Sequence, residues 1–149
     1  MDQVLPLLIG QAQVRRDQTA ALACDAALAS RQGQATLEQL RQFHGDCLTR
    51  SPGAGGGHAD GQSLIDYQNF VSRLDEAITL QLQECQRRQE RAAARQEQLL
   101  ESQQRLMAFE ALAQRRAAAR SAKDSRAQQR DADEFGARAA RRLTQESLS

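Results

Sequence analysis

The chain has 149 residues, enough for one ordinary domain, and a formal net charge of +1. Aromatic residues make up 3%, tryptophan is absent, and alanine supplies much of the 40% apolar content. Such side chains cannot fill the thick core of a compact enzyme, but they can fill the thin seam between two long helices.

The first helix is expected over about 6–49, with Pro6 suited to a first helical turn. Alternating steps of three and four trace a candidate seam through Leu5, Leu8, Ala12, Arg15, Thr19, Leu22 and Ala26. The same steps continue through Ala29, Gly33, Thr36, Leu40, Phe43 and Cys47, with Val14 and Leu37 just beside the line. Its apolar character fails mostly in the middle. Gly10, Gly33 and Gly45 each cost about 1 kcal/mol relative to alanine if exposed inside a helix, so a soft point is expected near Gly33.

The stretch SPGAGGGHADG, residues 51–61, holds five glycines and a proline. Pro52 disfavours a helical Ser51, and glycine adopts positive φ freely. A glycine-rich loop over 50–62 therefore ends the first helix. Asp60 or Ser63 can cap the next one by accepting a bond from a free backbone N–H. A linker between two straight helices is the alternative, but the flanking patterns favour a hairpin.

The second helix is expected over about 63–143. Every seventh residue from Val71 is apolar: Val71, Ile78, Cys85, Ala92, Leu99, Leu106 and Ala113. The companion line reads Tyr67, Leu74, Gln81, Arg88, Arg95, Ser102 and Phe109, apolar at both ends and polar in the centre. Arginine stems can cover such a seam while their heads reach water. A turn centred near residue 56 sets the polar middle of one helix against that of the other. The fold class is all-α: an antiparallel two-helix coiled-coil hairpin. Beyond about residue 113 the second helix has no partner left, which gives an overhanging C-terminal helix with only Phe135 and Leu143 as large apolar residues.

From Arg105 to Arg142 there are nine arginines and Lys123 against five acids, while residues 1–62 carry five arginines against six acids. A basic helical face can meet nucleic acid, anionic lipid or an acidic protein surface, or can simply be solvated. Base-stacking aromatics are absent there except Phe135, and acids are interleaved, which weakens the nucleic-acid reading. Phe70 falls on the shoulder of the second helix's seam, where the partner helix does not easily cover it. It is either a protein-binding anchor or a lid over the hairpin end.

The odd cysteine count, Cys24, Cys47 and Cys85, without CxxC spacing suits free thiols in a reducing cytoplasm. MDQVLPLLIG lacks the basic region of a signal peptide, and no run approaches the roughly 20 apolar residues that span a bilayer. No phosphate-binding GxxxxGK[ST] occurs. His44, Asp46 and Cys47 lie too close along one helix to converge as ligands by themselves. His58 sits in the loop. No enzyme activity, metal or cofactor is expected.

YQNFVSRLDEAI, with Tyr67, Phe70, Leu74 and Ala77–Ile78, resembles the signature of the FliJ family of the bacterial flagellar export apparatus. QQRLMAFEALAQRR, residues 103–116, and DEFGARAARR, residues 133–142, resemble two further family segments in order and spacing. The resemblance implies a non-enzymatic, central-stalk-like coiled coil. It implies insertion into the hexameric export ATPase ring, promotion of that ring's assembly and activity, contact with the linker of the export-gate protein FlhA, and escort of export chaperones. It places the protein in the cytoplasm, peripheral to the inner membrane and not inserted in it. The family's gate-binding stripe falls on Phe70, Leu74, Ala77 and Gln81, with Gln81 departing from the family's histidine. The loop also departs, being glycine-rich and without a tryptophan before Tyr67. Under this resemblance Arg115, Arg116, Arg120, Arg141 and Arg142 become candidates for acidic surfaces of the ATPase ring. The equivalent stalk of a virulence-type secretion system is the alternative within the same class, and a basic-helix nucleic-acid-binding protein is the alternative outside it.

Overall fold

The computed structural model describes residues 3–50 and 60–148. It consists of α1 (Val4–Thr49) and α2 (Gly61–Ser147), antiparallel to each other. Most of the glycine-rich loop, with Pro52 and His58, lies outside the described residues.

Local chemistry sets the helix ends. Pro6 stands in the first turn of α1, where its missing N–H would have no partner in any case. Asp60 caps α2: its Oδ1 accepts the Ser63 N–H at 2.8 Å, and its carbonyl accepts the Leu64 N–H at 3.2 Å. Of the two residues able to cap, Asp60 does so. The amides of Ser63 and Gln62 hold its carboxyl below the ordinary carboxylate range.

The chain divides into two compact units, Gln13–Gln103 and the pair of segments Met1–Ala12 with Gln104–Ser149. In the second of these, Leu5, Ala12 and Leu106 are the buried apolar side chains, and Phe109 and Ala113 are half-buried. Beyond Arg120, every described residue of α2 is exposed except Ala127. This is the overhang, helical to Ser147.

In the unit Gln13–Gln103 most of the fully buried seam residues are small. Thr19, Ala23, Ala26, Gly33 and Leu37 are buried on α1, and Leu74, Cys85 and Ser102 on α2. Gly33 marks a close approach. A Cβ placed there would stand 3.1 Å from Arg88 Cδ and 3.6 Å from Cys85 Sγ. α1 is unbroken through Gly33, so this glycine is a contact point inside the seam and not an exposed soft point.

On α2 both expected lines, from Tyr67 to Phe109 and from Val71 to Ala113, are half-buried or buried at every position. On α1 only one line holds. Leu5, Ala12, Thr19, Ala26, Gly33, Leu40 and Cys47 face the seam, but their companions stand one residue later than the steps from Leu5 give. Arg16, Ala23, Leu37 and His44 turn inward, while Arg15, Leu22, Thr36 and Phe43 are exposed. Leu8 and Ala29 remain half-buried beside Ile9 and Ser30. The choice follows the line of the helix and not side-chain size: Ala23 goes in where Leu22 is expected, but Leu37 goes in where Thr36 is.

The register also differs from a turn centred near residue 56. Gly33 lies against Gln81, Cys85 and Arg88, and Thr19 lies against Ser102, further along α2 than that turn places them. The seam sets this register by matching its gap at Gly33 with an arginine stem and one hydroxyl with another.

The polar middle is bonded across the seam. Thr19 Oγ1 and Ser102 Oγ stand 2.6 Å apart. Gln81 Nε2 donates to the Gly33 carbonyl at 2.9 Å, and an Arg88 guanidinium N–H donates to the Ala29 carbonyl at 2.9 Å. Glu84 holds the other side of Arg88 at 3.0 Å, and the bonds from Arg88 and then Arg87 keep its carboxyl below the usual range. Among the described residues no buried side-chain polar atom lacks a hydrogen-bond partner.

Two outcomes follow. Gly33→Leu should cost about 1–3 kcal/mol in urea unfolding through overpacking, whereas Gly33→Ala should be neutral or stabilising, because the flexible Arg88 stem yields and alanine favours the helix. The Asp60 cap contributes fully above the carboxyl's unfolded-state pKa of about 3.9 and fades as pH falls through its lowered folded-state value. Acidification should therefore fray the first turn of α2, read as faster exchange of the Ser63 amide after correction for intrinsic rates. Asp60→Ala should fray it already at neutral pH.

Candidate functional site

Three turns into α2, Phe70 leaves the seam. Tyr67 points inward and donates its hydroxyl to the Cys47 carbonyl at 3.1 Å. Leu74, one turn on, is buried at 8% exposure. Phe70 stands between them in sequence but on the helix shoulder, and it is 45% exposed. Its ring meets that of Phe43 on α1 edge to face, with centroids 5.9 Å apart and planes at 79°. Phe43 is itself 51% exposed. Phe70 therefore neither stands alone nor closes the hairpin as a covered lid. The two rings form an accessible aromatic step across both helices.

The other residues of the expected stripe differ from Phe70. Ala77 is half-buried. Gln81 is half-buried, and its amide is engaged with the Gly33 carbonyl. Phe70 is the stripe's one exposed side chain. Phe43 was not legible as a site residue because the stepped pattern placed it inside the seam. The signal that could have found it is His44, whose Nε2 takes the inward position and meets Asp75 Oδ1 at 2.7 Å. That pairing also takes His44 away from Asp46 and Cys47, and no group of potential metal ligands occurs among the described residues.

The second candidate region is basic. Arg115, Arg116, Arg120, Arg141 and Arg142 are all exposed. Arg116 and Arg120 border a groove of about 90 Å³ with Leu5, Pro6, Ile9 and Ala113. Both stand on continuations of α2's seam lines. Where α1 ends, the seven-residue line from Ser102 and Phe109 runs on through Arg116, Lys123 and Arg130. This seam-facing line thus ends in three successive cations on the same face of the helix. Arg141 and Arg142 are further along the same helix, and Phe135 is exposed between the two groups.

No helix among the described residues is long and apolar enough to cross a membrane. The described residues offer extended surfaces, one aromatic and one basic.

If the aromatic step is a real contact, Phe43→Ala and Phe70→Ala will not add. A double-mutant cycle in urea unfolding should give a coupling of about 0.5–1.5 kcal/mol. Strict additivity would mean that the rings touch without stabilising each other.

Compared with known protein families, the chain matches the model described as the flagellar FliJ protein over residues 1–145. No curated protein matches it. A match across nearly the whole chain, on an antiparallel pair of long helices, shows that the protein belongs to the FliJ family, non-catalytic coiled-coil components of flagellar protein export.

Proposed function

We propose that this chain is the central-stalk-like coiled coil of a flagellar export apparatus, working in the cytoplasm at the inner membrane. It inserts its basic overhang into the hexameric export ATPase and promotes assembly and activity of the ring. Its aromatic step docks on the cytoplasmic linker of the gate protein FlhA, and the same protein escorts export chaperones. The observation that carries the gate contact is the exposed, paired Phe70. An aromatic held by a neighbouring ring on two packed helices loses little freedom when it enters a pocket.

Within the stripe, the four residues have separate roles under this reading. Phe70 makes the contact, with Phe43 behind it. Ala77 leaves room for the linker to approach. Leu74 fixes the helix from inside the seam. Gln81 holds α2 to the Gly33 carbonyl and so acts on position, not on the partner. On the overhang, Arg115, Arg116, Arg120, Arg141 and Arg142 supply charge toward acidic surfaces of the ring.

Binding to the purified FlhA linker, measured by calorimetry, tests the gate contact. Phe70→Ala should weaken it by about 30-fold or more at unchanged helicity, the range of an aromatic hot spot. Equal binding by both proteins would remove Phe70 from the contact. Charge reversal at Arg115 and Arg116 should reduce stimulation of the export ATPase and make what remains less sensitive to added salt than the wild type's. Full stimulation by the reversed protein would count against the ring contact.

A further inference from the structure

Beyond the first turn of α1, the second helix reverses the usual pattern of a surface helix. In the unit Gln13–Gln103 the line of α2 directly opposite the seam reads Asn69, Glu76, Gln83, Glu90 and Glu97, polar and exposed throughout. From Gln114 to Ala132 the back of the helix is nearly bare of charge. The three lines that start at Gln114, Arg115 and Ala118 carry only glutamine, serine and alanine after Arg115. The charge stands in front. The two seam lines run on as Arg116, Arg120, Lys123, Ala127 and Arg130, four cations and no acid. All four cations are exposed, and none makes an ion pair among the described residues. Charge that serves solubility can stand on any side of a helix. Charge confined to the face that continues an interface is placed for what lies on that face.

The ends and edges of this stripe define what fits it. At its near end Arg116 and Arg120 border the groove of about 90 Å³ with Leu5, Pro6, Ile9 and Ala113, so a helix set in line with α1 starts on an apolar contact. Asp124 and Asp131 flank the stripe on one edge, and Arg126 and Asp133 on the other. Glu134 closes it at the far end. From Arg116 to Arg130 the stripe runs about 21 Å at helical rise, or about two heptads. A phosphate backbone laid along it would meet Asp124, Asp131 and Asp133 as well as the cations. A helix can instead set acids over the four cations and bases opposite Asp124 and Asp131, with an apolar residue at the end nearest α1.

We propose that an acidic amphipathic helix of a partner protein docks on Arg116, Arg120, Lys123 and Arg130, in line with α1, and prolongs the two-helix seam along the overhang. Ion pairs formed in contact with water hold it weakly, so the contact is reversible and salt-sensitive. The contact with the ATPase ring needs only the charge of its arginines. This one needs four cations on one face, and Lys123 and Arg130 lie outside the set assigned to the ring.

The probe is a synthetic peptide of about three heptads. It has glutamate at its seam positions, a leucine at one end, lysine on the flank toward Asp124 and Asp131, and alanine and glutamine elsewhere. Fluorescence anisotropy follows its binding to the full chain, and circular dichroism follows its helix content. Wild type should bind it at low salt, raise its helicity and release it as salt is added. A peptide of the same composition in scrambled order should bind about tenfold more weakly. The sharpest variant moves two charges to the back of the helix without changing composition: Ser121→Lys, Lys123→Ser, Gln128→Arg and Arg130→Gln. It should keep its own helicity and lose about tenfold in affinity for the peptide. No binding by wild type at low salt overturns the proposal. Equal binding by the scrambled peptide, or by the charge-moved variant, overturns the placement on this face, because net charge alone then accounts for the attraction. Tighter binding of duplex DNA than of the peptide at the same salt overturns it in favour of a phosphate backbone.

Discussion

The close approach of the two helices at Gly33 governs much of the unit around it. With no side chain there, Arg88 and Cys85 come up against the α1 backbone. Ala26 and Ala29 stand inward on one side of it, and Leu37 and Leu40 on the other. Leu22 and Phe43 stand outside the seam. There the Phe43 ring meets that of Phe70.

A seam of small residues buries little apolar area, and small residues alone define register poorly, because one alanine resembles the next. The polar residues in the middle supply that definition. Thr19 with Ser102, Gln81 with the Gly33 carbonyl and Arg88 with the Ala29 carbonyl each require one alignment. Sliding one helix by a heptad would break all three and leave buried polar atoms without partners, a cost that no regained methyl contact offsets. In this chain the interruptions in the apolar pattern are where the pairing is specified.

That explains which parts could be read from the sequence. On α2 the run from Val71 to Ala113 is apolar at every heptad, and its companion line followed directly. On α1, Leu8 and Ile9, Leu22 and Ala23, and Thr36 and Leu37 offer two adjacent lines of nearly equal quality. The choice between them depends on where α2 lies, which no local pattern states. Phe70 was legible as a shoulder residue because its place follows from the α2 frame. Phe43 was not, because its place follows from α1, where the frame was ambiguous. Arg88 and Gln81 were legible as seam positions, but that they bond the opposite backbone required the actual distance between helices. The expected stripe likewise mixed seam and surface, since a motif fixes spacing along one helix and the second helix decides what remains exposed.

The cross-helix bonds also differ in the length of chain they enclose. Tyr67 and Cys47 are 20 residues apart in sequence, Gln81 and Gly33 are 48 apart, Arg88 and Ala29 are 59 apart, and Thr19 and Ser102 are 83 apart. Each pair encloses the one before it. Joining Thr19 to Ser102 directly would close a loop about four times longer than joining Cys47 to Tyr67, at roughly 1.2 kcal/mol more in chain entropy. Once the inner pairs have formed, each outer pair closes only the short stretch left over. The unit can therefore assemble as a zipper that starts at the Tyr67 phenol and runs outward, with the three register-setting bonds engaged in succession. A misaligned start meets its first mismatched polar group at Gly33, before most of the seam has closed.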